Sequence, residues 1–486
     1  MTGRRRILLA AAGALLLPGC TSFADTATPQ VPRAAEPTAS EPAPPPVGEA
    51  ACPDERAEPD PDRPVVALDF RLEDDRRTVT GTETVEFTPD LPVRELVFRL
   101  VPNGPDSADG GNRLVVDAVR GDDVAAGRYE AAGATDPGGL YVVDLEDELD
   151  AGESTEVELD FTLSLGSEGF DRFGTDDGVS WWASGAPLLT WEPGVGWAED
   201  PFVDLGGETA SSPVADTTVS VSAPEDLTVL MTGAQAEPSE PQGGRRTWTS
   251  REPVARDVAV AAGSFTTADG ETPGGVRVRV GTLPDAELEP AQLLDATTAA
   301  IADLERFVGP FPYATLTVAL LPDYGGGIEY PSLILEATPS EQVLVHEVAH
   351  MWFYGMVGNS QFRDPWLDEA FASWAESLVD GDDDLVNQAA IDLEGRVGGT
   401  MTDFADPRSY FRLVYDKGGS ALLAAREAAG AEQFDAAIRC YVDAAAWSIA
   451  TPEELALALA DLPQAIAVLN RAGALDKSDL PSSGPR

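Results

Sequence analysis

The 486-residue chain contains two histidines, and both fall in the stretch VLVHEVAHMW, as His346 and His350. Residues four apart share one face of a helix, so the two imidazoles point the same way. Imidazoles so placed can hold one Zn²⁺, and Glu347 can reach a water on that ion and act as its general base. Two histidines scattered by chance on a helix surface would not account for both of the chain's imidazoles meeting there.

A hydrolytic zinc site takes a third protein ligand and leaves a position open. With no further histidine and no nearby thiol, that ligand must be a carboxylate. The segment DPWLDEAFASWAESLVD reads as a helix carrying Asp368, Glu369 and Glu376. The distance from His350 leaves room for the first helix to end near Gly355 or Gly358 and for the second to return alongside it. Neighbouring helical residues point about 100° apart, so only one of Asp368 and Glu369 can face the metal. Glu376, two turns from Glu369 on nearly the same face, is placed to orient a ligand histidine from behind.

At this point the chain resembles a known family. HEVAHMWFYGMVGNSQFRDPWLDEAFASW is similar to the zinc signature of the aminopeptidase N family of metallopeptidases (peptidase family M1), in the thermolysin-like clan. That signature is HExxH, a spacer, then Glu within a WLNEGFA-like segment. The resemblance implies His346, His350 and Glu369 as ligands, one Zn²⁺ per chain, and Glu347 as general base. Asp368 and Ala370 stand where the family commonly has Asn and Gly. GGGIEYPS resembles the family's G-[AG]-M-E-N edge strand, which pairs with the substrate backbone. By that likeness Gly326 and Gly327 line the peptide main chain and Glu329 grips the free α-amine, with Tyr330 in place of Asn. Glycines permit close approach of a peptide, and a carboxylate there partners an ammonium group. In RSYFRLVYDKGGSAL, Tyr415 matches the tyrosine that stabilises the oxyanion, and Tyr410 is read as a packing or secondary contact. The family's Cys-Asp-bearing segment is replaced by WEPGVGWAEDP, which leaves Glu192 and Glu199 as guesses for a second amine-binding acid. The likeness is to a short form without the family's large C-terminal helical domain.

These residues need elements to hold them. Alternating apolar residues in VALDFRL and EVELDFTLSLG mark half-buried strands, with Gly, Asp and Pro turns between them. We expect an antiparallel, all-β domain over 65–275, then a thermolysin-like α+β zinc peptidase domain over 276–475, ending in helices and followed by a polar tail over 476–486. Thr451 and Glu454 form a capping box for a final helix. Four tryptophans in SWWASGAPLLTWEPGVGWAED suit either a groove wall or a core.

The N-terminus reads differently. TGRRR, an apolar run from Ile7 to Leu17, and LPGC suit a secretory signal over 1–20 and are too short for a membrane span. The motif resembles the lipobox of bacterial lipoproteins, which implies lipidation of Cys20 and an extracytoplasmic, membrane-anchored protein, with plain secretion as the alternative. Residues 21–64, rich in Pro, Ala and Glu, read as a disordered tether. Cys52 and Cys440 are the remaining thiols, and a disulfide between them is left open. The formal net charge of -52 excludes nucleic acid as a partner and suits solubility, or the attraction of cationic substrates. The expected partners are peptides with a free N-terminus. The competing readings are a zinc endopeptidase or other zinc hydrolase, and a non-catalytic tethered binding module.

Overall fold

Alternation builds the N-terminal part of the protein in the computed structural model, which describes residues 52–53, 55–167, 171–176, 178–207, 210–380 and 388–480. Cys20, the leader, the tether up to residue 51 and residues 481–486 lie outside the described residues. In Val65–Leu72 the buried side chains are Leu68, Phe70 and Leu72, and in Thr155–Ser164 they include Val157, Leu159, Phe161 and Leu163. Both strands belong to a seven-stranded sheet ordered 234–235, 245–255, 215–224, 65–72, 78–87, 155–164, 113–120. Two four-stranded sheets accompany it, and a shared core contains Phe70, Phe161, Trp182 and Trp191. Three of the four tryptophans, Trp181, Trp182 and Trp191, are therefore packing residues and not a groove wall.

The expected architecture is present, a mostly antiparallel β portion followed by an α+β portion with C-terminal helices. One pairing departs from it, because Val65–Leu72 runs parallel to Ala215–Pro224. Parallel neighbours need a long crossover, and here much of the β portion lies between the two strands, so no local pattern announces the pairing. The tether also ends earlier than Pro64. The Ala57 N–H donates to the Asp443 carbonyl at 2.9 Å, Arg56 pairs with Asp443 at 3.1 Å, and Arg63 donates to the Pro253 carbonyl at 2.9 Å. Composition could not reveal these anchors, since their acceptors lie far along the chain.

From Thr266 the chain forms a five-stranded mixed sheet ordered 266–271, 277–282, 315–320, 333–336, 327–330. Strands 277–282 and 315–320 are parallel, joined through the helix Pro290–Val308. On one face Leu333 and Leu335 pack against Trp181 and Leu230 of the β portion. On the other, Val318 and Ile334 join the core of the helices. The two portions thus share buried surface and form one unit. Arg256 adds to the junction by donating to the carbonyls of Ser212, at 2.8 Å, and Tyr354, at 3.0 Å. Strand Gly327–Tyr330 closes the sheet as an edge, paired antiparallel with Leu333–Glu336.

The helices that follow include Glu341–Ala349, Trp366–Asp380, Gly418–Ala429 and Ala431–Ala444. The expected final helix is two, Pro452–Ala458 and Pro463–Ala472, because Pro463 starts the second at its first turn. Thr451 caps the former with Glu454. No described helix is long and apolar enough to cross a membrane. Cys52 and Cys440 carry free thiols within hydrogen-bonding reach, and burial followed by the neighbouring Cys52 raises the Cys440 thiol to about 12.

Candidate metal centre and catalytic cleft

The helix Glu341–Ala349 starts where the Ser340 hydroxyl accepts the Val343 N–H at 3.4 Å. It presents His346 and ends as His350 begins a tight turn, with the Gly355 N–H returning to the His350 carbonyl at 2.9 Å. A Cβ at Gly355 would lie 2.7 Å from the Tyr313 hydroxyl, so only glycine lets the turn close. The chain then comes back as the helix Trp366–Asp380, carrying Glu369 in its first turn.

Glu369 Oε2 stands 3.3 Å from the Nε2 atoms of both His346 and His350. One ligand atom from each of these three residues lies within 4.8 Å of the others. Asp368 faces elsewhere, accepting from Gln361 Nε2 and from the Glu369 N–H, each at 2.7 Å. Both histidines are fixed from behind. His346 Nδ1 is 3.1 Å from Glu376 Oε2, and His350 Nδ1 is 3.0 Å from the Phe353 carbonyl. A proton on each Nδ1 donates to these acceptors and leaves both Nε2 lone pairs facing Glu369. Glu376 is held in turn by Gln342 Nε2 at 2.6 Å.

The buried acids and imidazoles of the site shift one another strongly. Burial would lower the His346 imidazole, yet hydrogen bonds to Glu369 and Glu376 take it to about 10. Burial would raise Glu369, but His350 and His346 hold it below the ordinary carboxylate range. Burial pushes Glu347 up to about 8. Buried oxygens of Glu347 and Glu329 have no hydrogen-bond partner. Two anchored imidazoles and a carboxylate, beside acids short of positive charge, fit the donor set of a zinc ion.

Glu347 packs on the edge strand. A Cβ at Gly327 would fall 2.6 Å from Glu347 Cγ, so the glycine makes room for the carboxylate. Gly325 and Gly326 precede it in the left-handed region, with φ of 81° and 99°. Glu329 is 5% exposed, and its Oε1 lies 3.9 Å from His350 Nδ1. Tyr415 sits in a π-helical turn, Arg412–Lys417, of the kind that often marks functional positions. Its hydroxyl donates to Glu369 Oε1 at 2.5 Å, and its ring stacks on His346 at 6.0 Å. Tyr410 is fully buried, packed against Phe404 and Gly207, which is a packing position.

All of this opens into a cleft of about 710 Å³ between the β portion and the helices, lined by Gly326, Gly327, Glu329, His346, Glu347, Glu369, Glu376 and Tyr415, among others. Neither Glu192 nor Glu199 lines it, and Glu192 is instead a buried partner of Arg363. Among the described residues, the β-portion acids that do line it are Asp106, Asp171 and Asp204. Sequence reading missed these three, because they sit on separate segments, Asp106 in the short helix Pro105–Asp109, and belong to no motif. It also missed Glu336, buried opposite Gly327 and raised well above the usual range by burial and then by Glu347.

Comparison with known proteins agrees with this geometry. Residues 328–471 match the family model described as Peptidase family M1 domain. Aminopeptidase M1-B of Oryza sativa subsp. japonica is 28% identical over 233 residues, 41% of this chain and 26% of that protein. Aminopeptidase RNPEPL1 of Homo sapiens is 28% identical over 265 residues, 50% of this chain and 34% of that protein. The chain thus spans about a quarter to a third of the curated relatives it matches. Among solved structures, an M1 zinc metallopeptidase from Deinococcus radiodurans superposes with TM-score 0.64 at 21% identity, covering 87% of this chain and 96% of that one. A mutant of that enzyme bound to a Tyr-Ser-Ala substrate matches equally well, at 20% identity. These structural matches show a shared fold.

Proposed function

We propose that the protein is a zinc-dependent aminopeptidase that removes the N-terminal residue of peptides. The observation that carries this reading is Glu329, a buried carboxylate oxygen without a partner, on a sheet edge beside the convergent His346, His350 and Glu369. The match of residues 328–471 to the M1 family model and the substrate-bound structural neighbour support it. Zinc, when bound by the two histidines and Glu369, supplies a Lewis acid that polarises the scissile carbonyl and lowers the pKa of water.

The chain's own residues do the rest. A peptide adds to the open edge of strand Gly327–Tyr330 as a further strand, which fixes its direction. Glu329 pairs with the α-amine and sets the first peptide bond over the metal ligands. Glu347 takes a proton from the attacking water and returns it to the departing amine. Tyr415 gives up its contact with Glu369 and donates to the oxygen on which negative charge develops. No acyl-enzyme forms, because both imidazoles are committed elsewhere and no other histidine exists. The leader sequence and LPGC support an extracytoplasmic site of action, with Cys20 lipidated or the protein secreted, and hence peptides outside the cytoplasm as substrates.

The test compares aminoacyl p-nitroanilides carrying a free amine with their N-acetylated forms, using wild type and Glu329→Gln. Wild type should cleave only the free-amine series. The variant should lose on the order of 10²-fold in kcat/KM, the worth of one charge-assisted pair. Equal cleavage of blocked substrates would favour an endopeptidase instead.

A further inference from the structure

Among the described residues, the cleft is lined by eight carboxylates and one guanidinium, that of Arg172. Four of the acids already have work: Glu369 as ligand, Glu347 as base, Glu376 behind His346, and Glu329 for the amine. The remaining four are Asp106, Asp171 and Asp204 on the β wall, and Asp416 on the opposite wall beside Tyr415. Arg172, whose Nη1 donates to the Tyr330 hydroxyl at 3.3 Å, offsets one of these charges. The Asp106 and Asp204 carboxyls are close enough to share a hydrogen bond, an arrangement that two carboxylates keep only with a proton or a cation between them.

Two further features show what the space takes. Phe411 is 41% exposed and lines the same cleft, 4.9 Å from the Tyr415 ring. Its ring edge comes within 3.5 Å of the Cβ position of Gly206, two residues from Asp204. An exposed aromatic face between carboxylates is the surface that binds a lysine or arginine side chain, its stem on the ring and its head among the acids. Glu329 in the same cavity is 5% exposed with Oε1 unpartnered, so the cavity is built for a cationic ligand, whose α-amine Glu329 takes.

We infer that Asp106, Asp171 and Asp204, with Asp416 and Phe411 facing them, make this cleft selective for peptides carrying a lysine or arginine side chain next to the scissile bond. This rests on the aminopeptidase reading and names its substrate class. Low-dielectric walls of one charge sign concentrate cationic ligands, and the effect weakens as salt screens it.

The test uses arginine against citrulline, which keeps the shape of the side chain and removes its charge. Zinc-loaded full-length enzyme is assayed on Arg-Ala and Cit-Ala, then on Ala-Arg and Ala-Cit, at low and high salt, as wild type and as D106N/D204N. In at least one pair, arginine should exceed citrulline in kcat/KM by about 10-fold or more at low salt. That ratio should shrink with salt and fall toward one in the variant. Asp106 and Asp204 are exposed, so the substitutions spare the core, and the salt series on wild type reads the same property without any variant. Cleavage of both members of each pair with no preference for arginine overturns this inference and leaves the aminopeptidase reading standing. A preference that survives in D106N/D204N overturns the assignment to this wall. Failure to cleave any of the four dipeptides overturns the underlying reading, and this inference with it.

Discussion

Gly327→Ala displaces the general base while leaving the zinc ligands in place. A methyl at Gly327 would stand 2.6 Å from Cγ, 2.8 Å from Cδ and 2.8 Å from Oε1 of Glu347, where ordinary contact begins at 3.4 Å. Relief requires the carboxylate to retreat by about 0.8 Å, and a misplacement on the order of 1 Å costs about 10²-fold in rate. The strand itself tolerates alanine, since Gly327, unlike Gly325 and Gly326, does not have a positive φ. The zinc ligands are other residues, so metal content should not change. The assay is kcat on an aminoacyl p-nitroanilide, with zinc per chain measured on the same sample by plasma mass spectrometry. We expect kcat to drop about 10²-fold at full zinc occupancy. A variant that keeps full zinc and turns over within about twofold of wild type would refute the placement of Glu347 as the base.

Three other outcomes follow from the same geometry. Glu376→Gln exchanges the carboxylate behind His346 for a neutral amide, and zinc affinity measured against a competing chelator should weaken about 10- to 100-fold; unchanged affinity would show that Glu376 does not set the imidazole. Tyr415→Phe should lower kcat by about 10²-fold with little change in KM, because in the proposed mechanism its hydroxyl acts on charge that develops only in the transition state; a loss confined to KM would place it in ground-state binding. Asp257 is a buried acid that accepts from Ser184 Oγ and the Val258 N–H, and burial raises it from 3.8 to about 7. With the folded value above the unfolded one, its contribution to stability is fully present below about pH 4 and is lost as pH rises through about 7. The rise from 3.8 to about 7 corresponds to at most about 4 kcal/mol. The stability of Asp257→Asn relative to wild type should therefore improve from about pH 4 to about pH 8 in denaturant titrations, and a pH-independent difference would contradict the assignment.

What was legible in the sequence was what periodicity and spacing encode. His346 and His350 share a helix face because the helical repeat is fixed, and the interval to Glu369 allows one turn and a return helix. Strands such as Val65–Leu72 announce themselves by alternation. The acids of the β wall were not legible, since Asp106, Asp171 and Asp204 are brought together only by the packing of sheets whose strands lie far apart in the chain. The same holds for the parallel pairing of Val65–Leu72 with Ala215–Pro224 and for the anchoring of Arg56 and Ala57 on Asp443. The π-helical turn that carries Tyr415 leaves no compositional mark, because an extra residue per turn changes hydrogen bonding without changing residue type.

The most direct test of the metal centre is to count zinc and turnover together in wild type and His350→Ala. The account predicts one zinc per chain in wild type, loss of hydrolysis when a chelator removes it, and recovery on adding zinc back, with neither zinc nor activity in the variant. Hydrolysis by zinc-free wild-type protein, or equal zinc in the folded variant, would contradict it.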